Sequence, residues 1–440
     1  MQKPRTNSKI GLIGLVCVLF PFASAVAQLG AFNPYSQLGI GLPVYNPITP
    51  LAGMGGGYNA ISNRQYINFY NPASYTSLDN ATFQFGLESQ FLTATRGSDR
   101  RTANLASFNQ LAIGLPIIKD RLGMSFGYTP YTNVGYSFSS NERLINLPDT
   151  VDVTYQYEGK GGTDRFHLGF GGSPVKGLSI GFNAYFYLGN LDRTKTSFFP
   201  SNFGSTNVQS ITNTRIADFG FDFGAMYSAD IKKKYRLTLG GTYTLGKTMA
   251  AKNTAVARYF NGTLSDQFYD QDTIAAKQKV KLQFPHAFGA GISFGQPDFW
   301  LLQADFNMTM WSQFRYANNV PEPLFGNSYR VSLGGEIKPN GKNQKSIFNR
   351  ITYRLGGRYG ESFLRPGTSF QEIGLSFGLG IPILFNDVDP RERKLTSSLN
   401  VALEYGVSTP QNSAYTREQM VRLVFSFNLR AKWFKTYKFN

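Results

Sequence analysis

Residues 241–248 read GTYTLGKT, the spacing of Gly, four residues and Gly-Lys-Ser/Thr that marks a phosphate-cradling loop. That chemistry needs a buried strand, a glycine-rich loop and then a helix whose first amides point at the phosphates. Here Tyr235, Leu237, Leu239, Gly241, Tyr243 and Leu245 alternate with Arg236, Thr238, Gly240, Thr242, Thr244 and Gly246, so the motif lies on a strand that Lys247 ends. Met249-Ala250-Ala251 then passes to a turn at Lys252-Asn253. The run is too short for the required helix, and nucleotide hydrolysis is set aside.

Two histidines, His167 and His286, and one cysteine, Cys17, are all that the chain offers as soft metal ligands. This excludes a thiolate or multi-histidine zinc site. His167 takes an inward phase with Arg165, and His286 an outward one unless Pro285 introduces a bulge. Neither has a serine and an acid at a defensible spacing. No catalytic, cofactor or metal residue is assigned, and the chain reads as a non-enzyme. A larger set of charges, Asp218, Asp222, Arg236, Asp305, Arg330, Glu336, Arg354, Arg358, Glu372, Glu404 and Arg422, falls on positions expected to face the inside of a closed sheet. Two readings are open: an arginine meeting the carboxylate head group of a ligand, or a buried polar network that fills and stiffens the interior.

The elements that would hold these residues are strands. The chain has 440 residues, of which 46 are glycine, 15% aromatic and only 16% charged. Lys3, Arg5 and Lys9 precede the apolar run Ile10–Phe22 and the small-residue site Ala25-Val26-Ala27, the pattern of a cleaved secretory signal over 1–27. Without those three cations the formal charge of +17 becomes +14. In a secreted chain this suits outer-membrane lipid and lipopolysaccharide rather than nucleic acid.

From about Ala81, apolar and polar residues alternate with period 2, as in Leu178, Ile180, Phe182, Ala184, Phe186 and Leu188 against Ser179, Gly181, Asn183, Tyr185, Tyr187 and Gly189. About fourteen such segments are expected: 81–95, 104–115, 121–141, 150–173, 177–195, 209–229, 234–252, 275–295, 298–316, 326–338, 349–363, 370–382, 396–408 and 418–430. The fold class is therefore all-β, a transmembrane antiparallel barrel over 81–440 in a bacterial outer membrane, with short periplasmic turns and long outer loops. The longest outer loop is expected at about 253–274. Tyr128, Tyr131, Tyr136, Trp300, Trp311, Trp433 and Phe434 are expected to form interfacial girdles.

Residues 28–80 break this pattern. Pro34, Pro43, Pro47 and Pro50 interrupt any strand, yet Leu51, Met54, Tyr58, Ile61, Tyr66, Ile67, Phe69 and Tyr70 supply packing surface. An ordered plug inside the lumen is expected, not a linker. The stretches AGMGGGYNAISN and NPAS, followed by a first strand TFQFGLE, resemble the N-terminal hatch of the FadL-type outer-membrane long-chain fatty acid transporters. The C-terminal LVFSFNLRAKWFKTYKFN resembles the last strand and basic aromatic tail of divergent members. The resemblance implies a fourteen-stranded barrel with Gly53, Gly55, Gly56, Asn71, Pro72 and Ala73 as hatch positions. It also implies hatch-gated passage of a hydrophobic small molecule or fatty acid, with lateral exit at a strand kink. Pro285 is the candidate kink, because proline cannot donate to a strand ladder; an ordinary register-correcting bulge is the other reading. An accessory or scaffold barrel of a larger outer-membrane complex is the alternative to transport. A general diffusion porin is disfavoured by the plug.

Overall fold

The computed structural model describes residues 33–146, 149–200, 206–262, 268, 270–316, 320, 321, 323–339, 348–365, 367–383, 397–412 and 414–431. The expected signal over 1–27, Trp433, Phe434 and the basic tail lie outside the described residues.

The described strands are β1 (Leu42–Pro43), β2 (Ala81–Arg96), β3 (Asp99–Ile118), β4 (Leu122–Asn146), β5 (Asp149–Val175), β6 (Leu178–Phe198), β7 (Asn207–Ile231), β8 (Tyr235–Thr244), β9 (Thr248–Phe260) and β10 (Asp270–Gln283). They continue with β11 (Ala287–Gln296), β12 (Trp300–Thr309), β13 (Arg315–Tyr316), β14 (Val320–Pro321), β15 (Ser328–Ile337), β16 (Thr352–Glu361), β17 (Phe370–Ile383), β18 (Ser397–Pro410) and β19 (Arg417–Ala431). All belong to one antiparallel sheet, which closes where β19 pairs with β2 from Arg417↔Thr95 to Ala431↔Ala81. β8 and β9 are two halves of one crossing, as are β10 and β11. With the two-residue strands β1, β13 and β14 set apart, the wall has the fourteen crossings expected from the sequence.

Closure pairs backbone groups from strand to strand around the wall, the condition for crossing hydrocarbon; between β3 and β4 the pairing stops short, at Leu111↔Tyr128. On β7, Phe219, Phe221, Phe223 and Tyr227 are exposed while Gly220, Asp222, Gly224 and Met226 are buried. The exposed residues continue around the wall as Leu239, Ile292, Leu302, Leu333, Leu355, Leu375 and Leu403. A continuous apolar belt of this kind is the lipid-facing surface of an outer-membrane-type barrel.

One end carries tight turns, with left-handed backbone at Asp120 (φ 57°), Gly177 (φ 86°), Lys232 (φ 51°), Lys233 (φ 54°) and Asp298 (φ 64°). Short turns place this end in the periplasm. The Lys234 amide donates to the Ile231 carbonyl at 3.1 Å, so Lys232 and Lys233 are the central pair of a turn that needs two positive φ angles, as type I′ does. Left-handed backbone costs a side-chain-bearing residue about 1–2 kcal/mol. Lys233→Gly is therefore expected to stabilise the barrel by about 1 kcal/mol, read as a higher urea midpoint for the shift from folded to unfolded electrophoretic mobility.

The other end is uneven. β4, β5 and β7 have 25, 27 and 25 residues, whereas β12, β15 and β16 have 10 each. About ten tilted residues suffice to cross a membrane, so the β4–β7 side stands well above the lipid. The long loop expected at 253–274 is mostly ladder instead: β9 and β10 pair from Asp270↔Tyr259 to Gln283↔Thr248. Above the membrane both faces of a hairpin can be polar, so the alternation that marks a strand is missing from its sequence.

The expected girdle also needs correction. Tyr136 and Trp311 are buried in an apolar cluster that fills the outer mouth of the lumen with Ile40, Tyr187, Leu282, Phe284, Phe314 and Phe325, and Tyr131 packs against it. Tyr131 is the extra residue of a bulge between Pro130 and Thr132, which turns its ring inward toward Tyr187. Trp311 is on a one-turn helix, Trp311–Gln313, folded over the opening.

Candidate functional site

Residues 33–80 occupy the lumen. Ile48, Leu51, Met54, Ile61, Tyr66, Ile67, Phe69, Tyr75 and Leu78 form a second buried cluster, held together by short helical turns at Thr49–Ala52 and Pro72–Ser77. Asn71 caps the second turn: its Oδ1 accepts the Ala73 amide at 3.1 Å, and Pro72 follows where a missing N–H costs nothing.

The luminal segment is seated on a row of residues that the barrel register brings side by side. Gln303 pairs with Gly334, Gly334 with Gly356, and Gly356 with Ser376. The outer two grip the backbone: Gln303 Nε2 donates to the Met54 carbonyl and the Gly55 amide donates to Ser376 Oγ, both at 2.9 Å. The inner two leave room for it, since a Cβ on Gly334 would lie 2.2 Å from the Met54 oxygen and one on Gly356 2.2 Å from the Met54 carbonyl carbon. Gly53 rests against Gly378, and Gly55 and Gly56 turn with φ of 76° and 82°. Farther along β12 and on nearby β8, Asn59 receives the Thr242 hydroxyl at 2.6 Å, donates its amide to Asp305 Oδ2 at 3.0 Å and reaches Asn307 Oδ1 at 2.9 Å. Asn71 Nδ2 donates to the Asn59 carbonyl at 2.6 Å. The GTYTLGKT stretch thus has a docking role: Thr242 and the Gly241 carbonyl both bind the luminal segment. Burial pushes the Tyr58 and Tyr66 hydroxyls of this segment far above the ordinary phenol range, so both are neutral.

The inward charges divide into separate groups. Glu404 contacts both Arg358 and Arg422, and Arg422 lies 3.8 Å from Glu88. Arg354 pairs with Glu336 at 2.9 Å and donates to Asn400 Oδ1 at 3.2 Å. Three guanidinium groups surround the Tyr45 ring: Arg330 at 3.9 Å, Arg358 at 4.5 Å and Arg422 at 4.9 Å from its centre. Asp222 is buried, and Glu372 lines two luminal cavities without an ion pair among the described residues. Two expected members lie elsewhere. Arg236 sits at the exposed periplasmic rim, bridged to Asp230 at 2.8 Å, because its strand begins one residue earlier. Asp218 leaves the lumen for a break in the wall, where it holds Lys247 Nζ at 2.6 Å and the Ala250 amide at 2.8 Å. Sequence reading passed over Tyr45, Asn59 and Glu88, and gave Arg165 an inward phase without placing it in the charged set. Tyr45 follows a proline-rich stretch with no periodicity to assign it a face.

Pro285 lies between β10 and β11, and Gly246 lies opposite between β8 and β9. The interrupted crossings are tied by paired bonds between Lys247 and Phe284, at 2.8 and 3.2 Å. His286 Nδ1 faces the Tyr243 hydroxyl at 2.8 Å. His167 Nε2 meets Ser125 Oγ at 3.1 Å, but the pair is buried, the imidazole lies tilted against the Phe69 ring, and its Nδ1 has no partner among the described residues. A serine–histidine pair without an orienting group or an opening lacks the layout of an activated nucleophile. No group of three metal-ligating side chains occurs among the described residues.

A second wall defect is larger and left no mark that was read in the sequence. β3 pairs with β4 only from Ile118↔Leu122 to Leu111↔Tyr128. Above that level β3 is bonded to β2 alone, and β4 to β5 and the luminal β1, through Leu42↔Asn133 and Pro43↔Thr132. The wall is unzipped there, and the luminal segment fills the gap. Three cavities meet at Val44 in this gap: an outside groove of about 1510 Å³ and two luminal spaces of about 270 and 310 Å³. The larger luminal space is lined by Tyr45, Arg165, Asp222, Arg330 and Glu372.

This closed wall with a seated inner segment can be set beside known proteins. The BamG family model matches residues 9–440. The chain belongs to the BamG family. Among solved structures, a Pseudomonas aeruginosa FadL homologue is 12% identical with a TM-score of 0.58, covering 89% of this chain and 100% of that one. The Pseudomonas putida toluene transporter TodX is 13% identical with a TM-score of 0.51, covering 88% of this chain and 98% of that one. A TodX deltaS2S3 mutant, described as a monoaromatic hydrocarbon channel, is 14% identical with a TM-score of 0.54, covering 89% and 100%. No curated protein matches the chain. At these identities the likeness is one of fold, so this BamG-family chain is a FadL-like barrel.

Proposed function

We propose that the protein passes a hydrophobic small molecule, such as a long-chain fatty acid, through the gap between β3 and β4, with the luminal segment as the gate. The observation that carries this reading is the meeting of the outside groove and both luminal spaces at Val44, on the stretch of luminal segment that stands in for the missing ladder. An amphiphile entering there meets Arg330, which faces Tyr45 and has no ion pair among the described residues, a position suited to a carboxylate head group. TodX, which shares the fold, is described as a toluene transporter.

The test is a reversible lock. Leu42 and Asn133 are directly opposed across β1 and β4, a separation within the range a disulfide spans. The Leu42→Cys/Asn133→Cys variant in proteoliposomes is expected to take up a fluorescent fatty acid at the parent rate when reduced. Oxidation should abolish saturable uptake. Equal uptake in both states would refute gating at this gap.

A second reading, an accessory barrel of a larger outer-membrane complex, draws on the wall's centre and height. The smaller luminal space is lined by Glu88, Glu372, Glu418, Arg358 and Arg422, a poor lining for apolar cargo, and β4–β7 offer a tall surface above the membrane. Native mass spectrometry of gently extracted protein separates the two: a bound amphiphile favours transport, and a stoichiometric protein partner with an empty lumen favours the accessory role.

A further inference from the structure

The outside groove is more than an approach to the gap. Its lining includes Arg215, Lys252, Lys277, Lys279 and Lys281, with Asp164 as its one carboxylate. All five cations are exposed, and their strand neighbours Ile216, Ala251, Val280 and Leu282 are buried in the luminal cluster. The cations therefore stand on the outer face of the wall. The register aligns three of them across adjacent strands, Arg215↔Lys252 and Lys252↔Lys279. Like charges directly opposed on one face destabilise a sheet unless something neutralises them. Among the described residues none of the five is in an ion pair. Asp218 is taken by Lys247, Asp164 accepts the Tyr128 hydroxyl at 2.9 Å, and Asp192 on the neighbouring strand is held by Asn190 and Asn213.

Their height specifies the anion. On β7 the lipid-facing apolar residues run from Ile231 at the periplasmic turn to Phe219. At about 3.3 Å per residue and a tilt of about 40°, that stretch rises roughly 30 Å, one hydrocarbon thickness. Arg215, Lys252 and Lys279 come next, level with the head groups of the outer leaflet. The same groove continues downward along Leu188, Ala217, Phe108 and Tyr128, an apolar bank on which acyl chains can lie. Its volume of about 1510 Å³ exceeds the roughly 300–1,000 Å³ of a small-molecule cleft.

We propose that this groove is a binding site for a phosphorylated lipid of the outer leaflet, whose phosphates neutralise the row Arg215–Lys252–Lys279 with Lys277 and Lys281 beside it. The site stands whether or not cargo passes the gap. The full chain is placed in phosphatidylcholine nanodiscs doped with lipid A or with the same lipid stripped of its phosphates, and retained lipid is counted by native mass spectrometry. The parent is expected to retain lipid A and not the stripped form. With about fivefold lost per lysine near an anionic surface, Lys252→Ser/Lys279→Ser/Lys281→Ser should weaken retention about a hundredfold. Lys232→Ser/Lys233→Ser/Lys234→Ser, at the other rim, should leave it unchanged. Equal retention of the stripped lipid by the parent overturns the proposal without any variant. So does undiminished retention by the groove variant, full displacement by inorganic phosphate, or shielding of these lysines from acetylation by an acidic polypeptide and not by lipid.

Discussion

Planar bilayers containing the Gly356→Leu variant should carry a steady ion current that the parent barrel does not. A Cβ at this position would lie 2.2 Å from the Met54 carbonyl carbon and 2.3 Å from the Gly55 nitrogen. Both are backbone atoms, so no rotamer change relieves the contact. The luminal segment must lift off, giving up the Gln303 and Ser376 hydrogen bonds. Overpacking and the lost bonds together cost on the order of 3 kcal/mol, about a 150-fold rise in the unseated population. The lipid face is untouched, because the residue sits on the luminal side of β16, so the barrel is expected to fold. Gly357→Ala is the control: its Cβ would meet atoms no nearer than 3.4 Å, and its current should match the parent. An unchanged current for Gly356→Leu, with Met54 still protected from hydrogen peroxide, would mean that the seat does not hold the segment.

Glu404→Ala is expected to destabilise the barrel by about 3–5 kcal/mol, the cost of breaking a buried charge pair by removing one partner. Glu404 is 1% exposed and contacts Arg358 and Arg422, themselves 8% and 2% exposed. Its loss leaves two guanidinium groups beside one another, with Glu88 at 3.8 Å from Arg422 as the remaining carboxylate in contact. The measurement is the urea dependence of folded-barrel mobility in detergent. Adding Arg422→Met should recover a large part of the loss, because an apolar replacement removes one orphaned charge. A single-variant effect below about 1 kcal/mol would show that water or the Tyr45 carbonyl, which also accepts from Arg422, already carries the charge balance.

The barrel was legible because its signal is local. On β7 alternate residues meet lipid and lumen, so Phe219, Phe221 and Phe223 announce a strand without knowledge of its neighbours, and counting such runs yields fourteen crossings. The signal fades where the environment stops being two-sided. β9 and β10 continue through Asn253, Arg258, Asp270 and Asp272 above the membrane, where both faces can be polar and a ladder reads as a loop. Tyr136 and Trp311 were misassigned for a related reason: an aromatic ring suits an interface and an apolar mouth equally well, and only the fold says which it meets.

By itself, then, the sequence determined the fold class, the strand number and the presence of an ordered, glycine-turned segment ahead of the barrel, all properties of short windows. The tertiary structure alone decided where pairing stops and which distant residues share a row. β3 and β4 have strand-like sequences beyond Leu111 and Tyr128, yet part there because the luminal β1 takes the free edge of β4. Gln303, Gly334, Gly356 and Ser376 become one seat, and Arg215, Lys252 and Lys279 one cationic row, only through register. Register depends on how the whole closed wall is staggered, and no short window of sequence encodes that stagger.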